Sequence, residues 1–251
     1  MHCIETINLS FRYPREQILW ENLNFTVKRG SFTLLLGPNG SGKSVLLRHL
    51  VYKLKPHGES KGQILFHGVP LEEMTPLSRV EKIAYVGQNP EIQMVSESVW
   101  QELAFSLENI GMEAGAMRLR IAEIANFFGI EDWFWEKTYT LSGGQKQILN
   151  VASALLLRPD LLILDEPDGS LDPVMRSELF AILNRLNQEL GITILLCSHN
   201  WSIALPFATE VLYLENKKID KFTSPQNFAH YLLSVNHPLS FALPSASQVH
   251  Y

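Results

Sequence analysis

Gly37-Pro38-Asn39-Gly40-Ser41-Gly42-Lys43-Ser44 places glycine, glycine, lysine and serine at the spacing G-x-x-x-x-G-K-[ST]. The apolar run Ser31-Phe32-Thr33-Leu34-Leu35-Leu36 before it reads as a buried parallel strand, and Val45-Leu46-Leu47-Arg48-His49-Leu50 after it continues as a helix. In a strand, glycine loop and helix of this kind, successive backbone N–H groups curl around phosphate oxygens. The helix N-terminus adds partial positive charge. Lys43 then reaches the outer phosphates of a nucleotide, and Ser44 holds Mg²⁺. The alternative, a glycine turn that only caps a helix, does not account for both flanks.

The bulk of the chain sets limits on what such a loop serves. At 251 residues there is material for one large domain or two small lobes. Hydrophobic residues make up 46% and charged residues 19%, as in ordinary globular proteins. A net charge of −5 argues against a nucleic-acid binder. No apolar run approaches the roughly 20 residues that span a bilayer. Met1-His2-Cys3-Ile4-Glu5 has no basic stretch leading into an apolar one, so no signal peptide is expected. Cys3 and Cys197 lack metal-ligand spacing, and a reducing cytoplasm is the simplest setting for them. Any membrane role then runs through a partner.

Upstream of the loop, His2 to Val27 reads as strands and turns. Ile4, Thr6 and Asn8 alternate with Ile7, Leu9 and Phe11 onto two faces, Arg12-Tyr13-Pro14-Arg15 turns, and Leu23 to Val27 alternates again. Tyr13 has two open readings: a flat ring stacked on adenine, or a tyrosine packed on a strand face. Downstream, Pro56 to Lys61 is turn material, Gly62 to Phe66 a strand, and Lys82 to Gly87 another strand running into Gln88. Gln88 either reaches a metal or its water from the strand end, or is simply solvated.

The period then changes. Val99, Leu103, Leu107 and Ile110 share a helical face, with Ser96 or Ser98 as its cap. A second helix follows, with Leu119, Ile121, Ile124, Phe127 and Phe128 as its apolar positions. The cluster Trp133-Phe134-Trp135 is read as core. Residues 88–159 thus form a helical lobe between strands. Within it, Ser142 is a good N-cap and Gly143-Gly144 bare the amides of a helix start, either as a second anion site or as a plain glycine-rich cap.

Leu161-Leu162-Ile163-Leu164 is a buried strand ending in Asp165-Glu166. On an extended strand these adjacent acids point opposite ways, so either Asp165 binds Mg²⁺ while Glu166 polarises water, or the pair is simply a solvated acidic turn. Asp172-Pro173 opens a helix with Leu179, Ile182, Leu183, Leu186 and Leu190 on one face and Gly191 as its stop. Ile192 to Cys197 is another buried strand, with Ser198-His199 at its end. Glu210 to Leu214 and Lys218 to Lys221 are strands, Pro225 to Leu233 is a short helix, and the tail from Ser234 is expected to be mobile.

Taken together, these residues resemble an ATP-binding-cassette (ABC) ATPase over nearly the whole chain. Residues 37–44 resemble its Walker A loop, Gln88 the Q-loop glutamine, Leu141-Ser142-Gly143-Gly144-Gln145 the signature, and Leu161 to Glu166 the Walker B strand with its catalytic glutamate. Ser170-Leu171-Asp172 resembles the D-loop, His199 the switch histidine and Tyr13 the adenine-stacking aromatic. Phe11-Arg12-Tyr13-Pro14, the Gln-Asn-Pro-x-x-Gln run from Gln88 to Gln93, and Val99 through Asn109 are similar to the energy-coupling-factor branch that serves cobalt, nickel and vitamin uptake. Asp168-Gly169-Ser170 departs from the threonine common there.

The resemblance implies an α/β fold: a P-loop NTPase core with a mostly parallel sheet, an N-terminal antiparallel β part and an inserted α-helical subdomain. Within one 1–251 domain, 1–87 and 160–233 would form the core, 88–159 the helical subdomain and 234–251 a tail. It implies ATP and Mg²⁺. Asn39, Gly40, Ser41, Gly42, Lys43, Ser44 and Val45 would hold the triphosphate, and Tyr13 the adenine. Ser44, Gln88 and Asp165 would hold the metal or its water shell. Lys43 and His199 would stabilise charge on the γ-phosphate, and Glu166 would activate water. Ser142, Gly143, Gly144, Gln145 and Asp172 would serve the nucleotide of a second, head-to-tail cassette. Transmembrane transport subunits would place the chain on the cytoplasmic face of the membrane. A non-transport cassette ATPase, or a scaffold that binds nucleotide without hydrolysing it, are the rival readings.

Overall fold

The structure, a computed structural model, describes residues 1–235 and 237–243. Two sheets share the molecule. The first is antiparallel in the order β2-β1-β4-β5, from β1 (His2–Arg12), β2 (Ile18–Lys28), β4 (Glu59–Phe66) and β5 (Val69–Pro70). The second runs β10-β9-β3-β8-β7-β6, from β3 (Phe32–Leu36), β6 (Ile83–Val86), β7 (Leu161–Asp165), β8 (Thr193–Cys197), β9 (Glu210–Glu215) and β10 (Lys218–Phe222). All its pairings are parallel except β9 with β10.

Strands β3, β7 and β8 are buried at every residue, as continuous apolar runs require when both faces of a sheet are covered. Leu34, Leu36, Leu162, Leu164, Ile194 and Leu196 face one core, shared with α4 (Val99–Asn109), α5 (Ala114–Phe128), α6 (Gly143–Leu155) and α7 (Pro173–Leu190). Leu35, Leu161, Ile163, Leu195 and Cys197 face the other, shared with the antiparallel sheet and α1 (Lys43–His49). Helix α1 is therefore held between the two sheets. Shorter helices α2 (Pro76–Lys82), α3 (Pro90–Gln93), α8 (Trp201–Ala204) and α9 (Pro225–Ser234) complete the chain. None of the described helices is long and apolar enough to cross a membrane.

Several expectations need correction. Strict alternation fails in β1, where Ile4 and Thr6 are buried together with Leu9 and Phe11. A bulge at Ile7–Asn8 shifts the register to both neighbours and reverses the parity. Asn8 sits at φ 49°, and the Asn24 side chain accepts from its N–H at 2.9 Å. Gly62 makes the bulge possible: a Cβ there would lie 2.4 Å from the carbonyl oxygens of Ile7 and Asn8. The same strand, β4, starts at Glu59, inside the stretch expected to be turn, because pairing with β1 extends to Arg12.

On α5 the core face is Ile121, Ile124, Ala125 and Phe128; Leu119 lies off that stripe and is 69% exposed. Leu190, at the end of α7, and Trp135 are exposed as well, while Trp133 and Phe134 pack on the core. Ser98, not Ser96, caps α4, accepting from Gln101 N–H. The tail expectation falls largely on residues 244–251, outside the described residues. Its described part is docked: Leu239 packs on the core and His237 Nε2 hydrogen-bonds the Tyr213 hydroxyl at 2.9 Å.

Candidate nucleotide site

The C-terminal ends of β3, β6, β7 and β8 lie side by side, the place where open α/β sheets collect ligand groups. From β3 the chain enters the glycine loop. Gly37 passes so close to β9 that a Cβ would overlap the Leu214 carbonyl, so only glycine fits the exit from the strand. Gly42 then starts α1 without any side-chain cap, which leaves the first amides for another acceptor. Ser41 Oγ is buried with no hydrogen-bond partner among the described residues. Lys43 is buried, and its Nζ donates to the carbonyls of Gly37 and Pro38 at 2.9 and 3.0 Å.

Asp165 ends β7, 2% exposed. Its two oxygens accept from Ser44 Oγ at 2.8 Å and from the Tyr85 hydroxyl at 3.0 Å. Burial, reinforced by the Asp165 carboxylate, pushes the Tyr85 phenol up to about 12, so it remains a donor. Tyr85, on β6, orients the carboxylate; its only sequence signal is its place on a core strand.

Glu166 does not continue the strand. Its φ is 53°, left-handed, while its N–H still donates to the Cys197 carbonyl at 2.8 Å. The two acids differ in direction because the chain turns at Glu166, not because of strand alternation. The turn brings Glu166 Oε1 to 2.8 Å from His199 Nε2 and Oε2 to 3.2 Å from Gln88 Nε2. Gln93 is the second glutamine of the Gln-Asn-Pro-x-x-Gln run. It holds the Gln88 loop closed by accepting from Gly87 N–H at 2.8 Å and from Asn150 Nδ2 of α6 at 3.0 Å.

A cleft of about 420 Å³ gathers Tyr13, Asn39, Gly40, Gly42, Lys43, Ser44, Val45, Glu166 and His199. Gln88 and Asp165 join it through the contacts above. Tyr13 is half-buried and edges onto Phe11 at 4.9 Å between ring centres. Below α1, Phe11 and Trp20 also enclose His49, whose burial lowers its pKa to about 4.

Ser142, Gly143, Gly144, Gln145 and Asp172 do not line this cleft. Ser142 and Gln145 form a reciprocal capping box at the start of α6. Asp172 Oδ1 caps α7 by accepting from Val174 and Met175 N–H at 2.9 and 3.0 Å. The two helix starts touch, since a Cβ on Gly144 would meet Met175 Cε at 3.0 Å.

The residues present fit a Mg-nucleotide. Ser44 Oγ and Asp165 supply hard oxygen donors, and among the described residues no trio of His, Cys, Asp or Glu gathers for a metal. That donor set suits Mg²⁺, which takes one or two protein ligands and completes its shell with phosphate and water.

Comparison with known proteins agrees with this geometry. The family model described as "ABC transporter" matches residues 20–169. A putative ABC transporter ATP-binding protein of Bacillus cereus is 43% identical over 223 residues, covering 88% of this chain and 40% of that protein. The chain thus spans about two fifths of the length of that relative. The energy-coupling factor transporter ATP-binding protein EcfA of Methanocaldococcus jannaschii is 35% identical over 228 residues, covering 90% of this chain and 80% of that one. Among solved structures, cbiO1 from Clostridium perfringens, part of the ABC transporter complex cbiONQ, superposes with a TM-score of 0.82 at 31% identity, covering 95% of this chain and 96% of that one.

Proposed function

This chain belongs to the ABC transporter family through its ATP-binding domain, and from that premise we propose that it binds and hydrolyses ATP to power an energy-coupling-factor-like uptake system for a metal ion or vitamin. One observation carries the reading: Ser44–Asp165 and Glu166–His199, each at 2.8 Å, converge on a single cleft beside Lys43.

In this reading the loop from Asn39 to Val45 cradles the triphosphate and Tyr13 lies against the adenine. Ser44 and Asp165, with Gln88, hold Mg²⁺, which when bound neutralises charge on the β- and γ-phosphate oxygens. Lys43 and His199 steady the γ-phosphate as charge develops. Glu166 takes the proton of the attacking water. Ser142, Gly143, Gly144, Gln145 and Asp172 stand outside the cleft and serve the nucleotide of a second cassette in a head-to-tail dimer. ATP then favours closure, because only the closed form gives each triphosphate both sets of donors. Membrane subunits engage the exposed surface beside the Gln88 loop, where Ile92 and Val95 are 80% and 62% exposed. The chain works there as a peripheral protein at the cytoplasmic face.

The test uses Glu166→Gln at high protein concentration with excess Mg-ATP, followed by light scattering and phosphate release. The expected result is a nucleotide-dependent dimer with turnover reduced by at least ~100-fold. Single chains with near-normal turnover would overturn the reading.

A further inference from the structure

Asp168 is 1% exposed, and a carboxylate that buried needs protein partners for its oxygens. Its Oδ2 accepts from Asn200 Nδ2 at 2.7 Å and stands 3.6 Å from Arg176 Nε. The three side chains come from the turn after β7, the loop after β8 and the first turn of α7. Asn200 directly follows His199, and its N–H closes a tight turn onto Ser198 Oγ at 2.9 Å. Asp168 lies just past Glu166, in a turn closed by Gly169 N–H on the Glu166 carbonyl at 3.3 Å. The Asp168–Asn200 bond therefore spans the same gap as the Glu166–His199 contact. Neither Asp168 nor Asn200 lines the cleft.

We propose that Asp168 is a positioning residue that holds His199 on Glu166 through Asn200. Through Arg176 it also keeps that pair in register with the start of α6. Arg176 Nη2 donates to the Leu171 carbonyl at 2.8 Å, and the adjacent Met175 lies against Gly144. A displacement of the α6 start is thus passed to His199 of the same chain. The proposal rests on Glu166 and His199 being the hydrolytic pair. Because the Asp168 side chain makes its hydrogen bond and ion pair to Asn200 and Arg176 and none to residues 37–44, its loss acts on turnover and not on nucleotide binding.

The experiment compares Asp168→Asn, Asn200→Asp, Asn200→Ala and the exchange Asp168→Asn/Asn200→Asp in the full chain. It reads kcat, nucleotide Kd and thermal midpoint, with Glu166→Gln in parallel. Asn200→Ala and Asn200→Asp, the latter placing two carboxylates face to face, are expected to cut kcat at least ~10-fold with Kd within ~2-fold. The exchange redraws the carboxylate–amide bond with its ends reversed and is expected to recover most of that loss. Unchanged kcat in Asn200→Ala, or an exchange no better than the worse single variant, overturns the positioning role. Losses that follow the thermal midpoint alone also overturn it. If Asp168→Asn does not fold, Asn200→Ala, at a half-buried site, decides. A Glu166→Gln chain that turns over normally instead overturns the underlying reading, and the positioning role with it.

Discussion

Glu166 Oε1 and His199 Nε2 stand 2.8 Å apart, each just beyond the end of a neighbouring parallel strand. Asp165 and Cys197 are paired across that register, so the contact is set by the sheet and then trimmed by the left-handed turn at Glu166. A carboxylate held this way has one oxygen engaged by an imidazole and the other near the Gln88 amide. It lines the same cleft as Lys43, its two oxygens fixed by these contacts, which suits the water-activating role proposed for it.

Lys43→Ala removes the ammonium that bridges the loop carbonyls of Gly37 and Pro38. ATP affinity should fall at least ~10-fold, the scale of one charge-assisted contact. Fluorescence titration with a labelled nucleotide checks this, and unchanged affinity would contradict the assignment of the loop.

Tyr13→Ala should cost ATP binding ~1–3 kcal/mol, the usual worth of an aromatic ring on a base. Inorganic tripolyphosphate, which has no base, should bind as before. Because Tyr13 also packs on Phe11, equal losses for both ligands would mark it as a packing residue.

His49 gives the fold a pH dependence. Its pKa of about 4 lies below the unfolded value near 6.5, so between those limits the unfolded chain binds more protons. Stability therefore falls as pH drops from 6.5 and levels off below 4. Between pH 7.5 and pH 5 this residue should account for a loss of ~2 kcal/mol. Urea unfolding of wild type and His49→Gln at both values isolates it. The variant should show a shallower pH slope, and identical slopes would refute the assignment.

Gly62→Ala should destabilise by ~2–4 kcal/mol. Its φ is +88°, and the new methyl would run into the carbonyls of Ile7 and Asn8. Urea midpoints report the loss, while tripolyphosphate affinity under folding conditions should stay level because the loop of residues 37–44, Asp165, Glu166 and His199 end or follow strands of the other sheet.

The parallel sheet was legible because β3, β7 and β8 are apolar at nearly every position between strong breakers. The candidate cleft is readable in the sequence to the extent that residues 37–44, Glu166 and His199 follow β3, β7 and β8. What the chain hid depends on neighbours distant in sequence. The parity of β1 is set by Gly62 on the adjoining strand and by Asn24 on β2. The roles of Tyr85 and Gln93 need the pairing of β6 with β7 and the packing of α6 over the Gln88 loop. The direction of Glu166 follows from a backbone angle that residue type does not dictate. The exposure of Leu119 escapes the sequence because its apolar type does not fix which stripe of a helix faces inward.

The extra residue in β1 means that length, as much as composition, is under constraint there. A change that ironed out the bulge while keeping Asn8 would give a strictly alternating strand and turn its second half inside out. Leu9 and Phe11 would face solvent, and the aromatic floor that carries His49 and α1 would lose its first plank. A single-residue gap at Asn8, by contrast, takes out the extra residue together with the bulge and leaves Ile4, Thr6, Leu9 and Phe11 on one face, so at this point shortening is gentler than straightening.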